Sequence, residues 1–232
     1  MVRMSKQNGA ALGKLERRRA VDDVQAAIRD AILQRRFPPG MRLNVDALAA
    51  QLGVSLTPVR SAIQLLSAEG LVDVHSRSGT FVATLTRRDL SETFDIRCAL
   101  ECLAAEQAAA QLTDEHLKRA RRQLVLLARP ILTDEKRTAH EQANTELHQI
   151  IIEASGNKRL AGVYESLQAH IAMGRLHRAD KNWQERIAQE HAEHGQIVAA
   201  MEKRDAKALS QVLRHHIMRA KSALMASMPD GE

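Results

Sequence analysis

Aromatic side chains are scarce in this chain: three Phe, one Tyr and one Trp make up 2% of its 232 residues. A core without them must be aliphatic, built from Ala, Leu, Ile and Val, and that is the usual filling between packed helices. Cysteine is scarcer still. Cys98 and Cys102 lie four apart in a helical stretch, the wrong geometry for a structural disulfide framework, and read as small buried apolar residues. No stretch approaches the ~20 apolar residues of a membrane span, and the opening MVRMSKQNGAALGKLERRRA has no apolar run of signal-peptide length. The expectation is a soluble, cytoplasmic protein with no membrane partner. Also missing are a nucleophile motif, a phosphate-cradling glycine loop and a carboxylate set as a general base, so enzymatic chemistry is not expected.

What is present is unevenly distributed charge. The net charge is +6, from 34 Lys and Arg against 28 Asp and Glu; residues 1–84 hold 12 against 7, which leaves 22 against 21 for the rest. The excess therefore belongs to the N-terminal third and points to a polyanionic partner there. At this length two modest domains are expected.

Val24, Ile28 and Ile32, with Ala27 and Ala31, recur at helical spacing after a polar, basic arm over 1–19. FPPG breaks that helix, with Pro39-Gly40 suited to the centre of a type II turn. Asn44 can cap a short second helix carrying Leu48, Ala49 and Leu52, and Gly53 can close it. A third helix starts near Ser55 or Thr57, tolerates Pro58 in its first turn, and buries Val59, Ala62, Ile63 and Leu66. Leu56, Thr57, Arg60, Ser61 and Gln64 are then expected to point outward. LVDVH and TFVATL around SRSG read as a β-hairpin with Val72, Val74, Phe81 and Ala83 on one face. Three helices and a hairpin make a winged helix-turn-helix over 20–84, whose third helix fits a DNA major groove. After a linker over 85–90, amphipathic helices near 88–111, 114–129, 134–155, 158–177, 184–203 and 206–226 form an all-α bundle over 91–228. Thr113, Asn157 and Asp205 are expected caps.

Residues 20–84, through LQRRFPPGMRL, LAAQLGVSLTPVRSAI, LSAEGLV and SGTFV, resemble the DNA-binding domain of the GntR family of bacterial transcription regulators. The bundle resembles the FCD effector domain of its FadR subfamily, through FDIRCALE, ELHQIIIEASGN, EHGQIVAAMEKRDAKAL and RHHI. The resemblance implies a homodimer on double-stranded operator DNA, with a small ligand, often a carboxylic acid, bound in the bundle, and more often repression than activation. It implies DNA contacts for Arg42, Ser55, Leu56, Thr57 and Arg60, and for Arg77 and Gly79 at the wing tip. Leu56 stands where the family pattern has an arginine, so an operator unlike the family's common one is expected.

Asn144 and His148, four apart on one helix, can both point into the bundle. By the resemblance, His194 and His216 fall where metal-binding FCD domains carry their other ligands. His148, His194 and His216 suit Zn²⁺, Ni²⁺ or a similar ion, with Asn144 as a further donor in place of the family's aspartate. Together with Arg97 these residues are the expected effector site. Arg97 has two readings, a partner for a ligand carboxylate or a salt bridge to Glu101. His215, beside His216, is expected to be exposed. A metal-dependent enzyme using the histidines, or a protein that packages DNA without sequence preference, are the alternatives.

Overall fold

The structure is a computed structural model that describes residues 18–131, 133–176 and 183–228. The basic arm lies outside the described residues up to position 17. The N-terminal unit contains α1 (Arg18–Leu33), β1 (Arg42–Leu43), α2 (Val45–Leu52), α3 (Leu56–Ala68), β2 (Val72–His75) and β3 (Gly79–Val82). Val24, Ile28 and Ile32 of α1, Leu48 and Ala49 of α2, and Val59, Ala62, Ile63 and Leu66 of α3 close a single aliphatic core. Arg29 and Gln25 of α1 reach Glu69 just past α3, with Arg29 Nε 3.1 Å from Glu69 Oε2, which ties the first helix to the third.

Local chemistry sets the turns. The Asn44 side chain accepts from the Ala47 amide at 3.0 Å, and Gly53 ends α2 in the left-handed region at φ 66°. Met41 N–H donates to Pro38 C=O at 3.0 Å, closing the FPPG turn. Leu52 is more exposed than its spacing suggested, at 37%.

The wing departs from the expected hairpin in two ways. A third strand, β1, pairs antiparallel with β3, so the sheet order is β1-β3-β2. Across the hairpin Val72 faces Val82 and Val74 faces Thr80, while Phe81 faces Asp73. Directly opposed residues share a face. Val72 and Val82 therefore point to the core, whereas Phe81 lies on the other side against the His75 ring at 5.8 Å, and Val74 is 53% exposed.

The bundle comprises α4 (Arg87–Ala108), α5 (Asp114–Leu127), α6 (Asp134–Ala154), α7 (Lys158–Leu176), α8 (Trp183–Glu202) and α9 (Ala206–Ser227). Helix α4 begins inside the stretch expected as linker because Thr86 and Asp89 form a reciprocal capping box. Thr113, Asn157 and Asp205 cap α5, α7 and α9 through their side-chain oxygens. Leu147, Ile150, Ile151 and Ile152 of α6 lie at the centre of the main bundle core. Cys98 and Cys102 are buried free thiols between α4 and α9, beside Phe94 and Ile217. Burial pushes the Cys98 thiol up to about 11, which suits a packing residue and not a reactive one. No helix among the described residues is long and apolar enough to cross a membrane.

Candidate functional site

The surface of α3 is laid out as a groove reader needs. Thr57, Arg60 and Gln64 are exposed and Ser61 is half-buried. Ser55 occupies the N-cap position, yet its side chain makes no capping hydrogen bond. The first-turn amides, which have no partner within the helix, are thus left for an anion such as a phosphate. Leu56 departs from the outward expectation, because it is half-buried and packs on the core of its own domain. Arg42 is exposed on β1, and its Nε lies 3.1 Å from where a Cβ on Gly79 would stand, so the Arg42 guanidinium rests against the start of β3. Arg77 is exposed in the turn between β2 and β3.

Inside the bundle, helices α6, α8 and α9 bring His148, His194 and His216 together, all buried. Their ring centroids are 6.0 Å apart for His148 and His194, 5.3 Å for His148 and His216, and 4.6 Å for His194 and His216. One nitrogen from each ring falls within 4.8 Å of the others. Ligands held about 2.0–2.1 Å from a tetrahedral ion sit roughly 3.4 Å apart, so small ring movements would let the three share one.

Two carboxylates orient this cage. Glu101 of α4 accepts from His148 Nδ1 on Oε2 at 2.5 Å, and from Arg97 Nε at 2.7 Å and the Tyr164 hydroxyl of α7 at 2.8 Å on Oε1. Glu193 of α8 accepts from His216 Nδ1 at 2.7 Å and from Arg219. Burial alone would raise both carboxyl pKa values. For Glu101, Arg97 and His148 reverse that and hold it well below the usual carboxylate range. For Glu193, hydrogen bonds from His216 and Arg219 bring it to about 2. An ionised carboxylate only accepts, so each facing Nδ1 carries the proton and Nε2 keeps its lone pair.

His148 and His216 are held neutral. Burial drives His148 down to about 4 against the pull of Glu101, and drives His216 down against Glu193. His148 Nε2 is buried with no hydrogen-bond partner, as is Asn144 Oδ1 one turn earlier. A buried lone pair on a neutral, carboxylate-oriented imidazole is the donor a transition metal takes, so the residues present fit an ion.

Of the two readings of Arg97, the salt bridge to Glu101 is present. Its Nε is bound to Glu101, while its Nη2 is buried without a partner. His215 is 72% exposed and His191 half-buried, so neither belongs to the trio. Glu101, Glu193 and Tyr164 were not foreseen as site residues. The spacing of Arg97 and Glu101 and the position of Glu193 beside His194 were the available signals.

Comparison with known proteins agrees with both halves. The profile for bacterial regulatory proteins of the gntR family matches residues 20–82, and that of the FCD domain matches residues 92–219. The chain belongs to the GntR family. Its two-domain make-up is that of the FadR subfamily. The HTH-type transcriptional regulator YdhC of Bacillus subtilis is 30% identical over 195 residues, covering 81% of this chain and 84% of that one. A protein of Paenarthrobacter nicotinovorans, described as a probable D-xylose utilization operon transcriptional repressor, is 31% identical over 204 residues and 88% of each chain. The crystal structure of a GntR regulator from Rhodococcus sp. RHA1 has the same fold, with a TM-score of 0.76 at 23% identity over 90% of this chain and 98% of that one. This GntR chain is a ligand-responsive, DNA-binding transcriptional regulator. Its winged helix binds operator DNA and its FCD domain takes the effector.

Proposed function

We propose that this regulator is a repressor that binds its operator as a homodimer, and that its effector is a small carboxylic acid held beside a divalent metal in the histidine cage. The observation that carries this reading is the convergence of His148, His194 and His216 with the unpartnered Nη2 of Arg97 at one buried site. His148, His194 and His216 would hold Zn²⁺ or Ni²⁺, with Asn144 Oδ1 as a weaker neutral donor. The ion supplies a positive centre with open positions, to which an oxygen of an organic acid can bind. Arg97 supplies the second anchor. Its free Nη2 can donate to the acid's carboxylate in a setting where water does not compete.

On the DNA side, Arg60 and Thr57 read the groove, Ser55 and the α3 amides hold a phosphate, Arg42 holds a second phosphate, and Arg77 with Gly79 forms the wing tip. Leu56, half-committed to its own core, offers at most one edge to a thymine methyl.

The test is metal content and stability. Protein purified without chelator should contain about one Zn²⁺ or Ni²⁺ per chain. Stripped protein should gain thermal stability on adding either ion, and His148→Ala should not. A metal-free protein whose melting temperature ignores both ions would refute the metal, and a screen of organic acids would then test Arg97 alone.

A further inference from the structure

Helix α7 touches both functional centres, and it does so with opposite faces. Toward the bundle, Leu160, Tyr164 and Ile171 pack in the main core, and the Tyr164 hydroxyl donates to the same Glu101 oxygen that accepts from Arg97. Nine residues on, half a turn around and about 14 Å along the axis, Met173 is fully buried in a different core, that of the winged-helix domain. Ala169 packs on that same core. His170 presses its ring on Gly70, the left-handed residue just past the recognition helix; a Cβ there would stand 2.4 Å from two of the ring atoms.

Beyond Met173 comes Gly174, where a Cβ would stand 2.8 Å from Leu90 Cδ2 and 3.4 Å from Leu224 Cδ2. Helices α4, α7 and α9 therefore approach closely where the two domains join. Nearer its start α7 stands away from the winged helix, across a cleft of about 1030 Å³ lined by Arg29, Leu33 and Glu69 on one wall and Gly162, Glu165 and Ser166 on the other, with Gln142 and Gln149 of α6 also lining it. The helix is gripped at both ends and has open space beside it between them.

We propose that α7 is the strut that carries the state of the effector cage to the recognition helix, with Tyr164 as its sensing end and His170 and Met173 as positioning residues that seat the DNA-binding domain. This rests on the reading of the cage as the effector site. Any occupant that draws His148 or Arg97 inward changes the bonds at Glu101, and Tyr164 is hydrogen-bonded to that carboxylate. A helix is stiff along its axis, so a shift at Tyr164 reaches Met173 and His170 instead of dissipating within the bundle. The cleft gives the winged helix room to follow.

Hydrogen exchange on the full chain tests this, with Zn²⁺ alone as the probe. In the wild type, Zn²⁺ should slow amide exchange in residues 160–174 and, through them, in residues 66–72, by a factor of about five or more. Met173→Ala should keep the response of 160–174 and lose that of 66–72. His170→Ala, which removes only a half-buried ring, should do the same and serves if the first variant does not fold. A response at 66–72 that survives both substitutions, or wild-type α7 unmoved with Zn²⁺ bound, would overturn the strut. If Zn²⁺ does not bind, the cage reading fails by itself and the metal-free proteins decide the strut. Tyr164→Phe should then speed exchange at 66–72 whereas Ile152→Val, on α6, should not; equal behaviour of the two would overturn it.

Discussion

Arg60 and Arg97 carry the same guanidinium on opposite sides of the solvent boundary. Arg60 stands exposed on α3, so its charge is hydrated. Arg97 is 2% exposed on α4, where an unpaired charge would cost several kcal/mol, and the chain provides Glu101 to compensate. One arginine is free to act on a large partner and is worth little until it meets one. The other is already part of the fold, with one buried nitrogen, Nη2, left without a hydrogen-bond partner. The exposed surface can therefore change at little cost to stability, while the buried cage cannot.

Removing the partner of the buried arginine should give the largest effect. Glu101→Gln leaves Arg97 without its counter-charge and the His148 Nδ1–H without its carboxylate acceptor, and should cost about 3–5 kcal/mol by denaturant titration. A loss below about 1 kcal/mol would mean that the Glu101 carboxylate is not the charge that compensates Arg97.

Acid should act on the same place. His148 folds with a pKa of about 4, below its unfolded value near 6.5. The unfolded chain binds the extra proton, so stability present above pH ~6.5 is lost progressively as pH falls toward 4, on the order of 3 kcal/mol. Glu101 and Glu193, both depressed in the folded state, extend the loss below the usual carboxylate range. In chelator, thermal melts from pH 7 to pH 4 should show this fall, and His148→Gln should flatten it.

Arg60→Ala should show the opposite profile. Operator binding should weaken by about 1–3 kcal/mol in a gel-shift titration, with unfolding stability within about 0.5 kcal/mol of wild type. Unchanged operator affinity would remove Arg60 from the interface.

The two regions were also unequally legible in the sequence. Helical spacing and the caps Asn44, Thr113, Asn157 and Asp205 foretold most elements, because these signals are local. The wing was misread at Phe81 because its strand is apolar at neighbouring positions, Phe81 and Val82, and either alternation fits until pairing fixes one. Strand β1, two residues long, has no period to detect. In the cage only Asn144 and His148, and Arg97 and Glu101, share a helix face. Tyr164, Glu193, His194 and His216 come from three further helices, and their convergence is a property of packing that no local spacing records.

The central claim is that the buried cage governs the exposed helix. It is tested most directly by operator affinity, on a site selected from random DNA, measured in stripped protein with and without saturating Zn²⁺. The account predicts that Kd changes by about fivefold or more in the wild type and stays constant in His216→Ala. Equal operator affinity in both states, with Zn²⁺ demonstrably bound in the wild type, would contradict it.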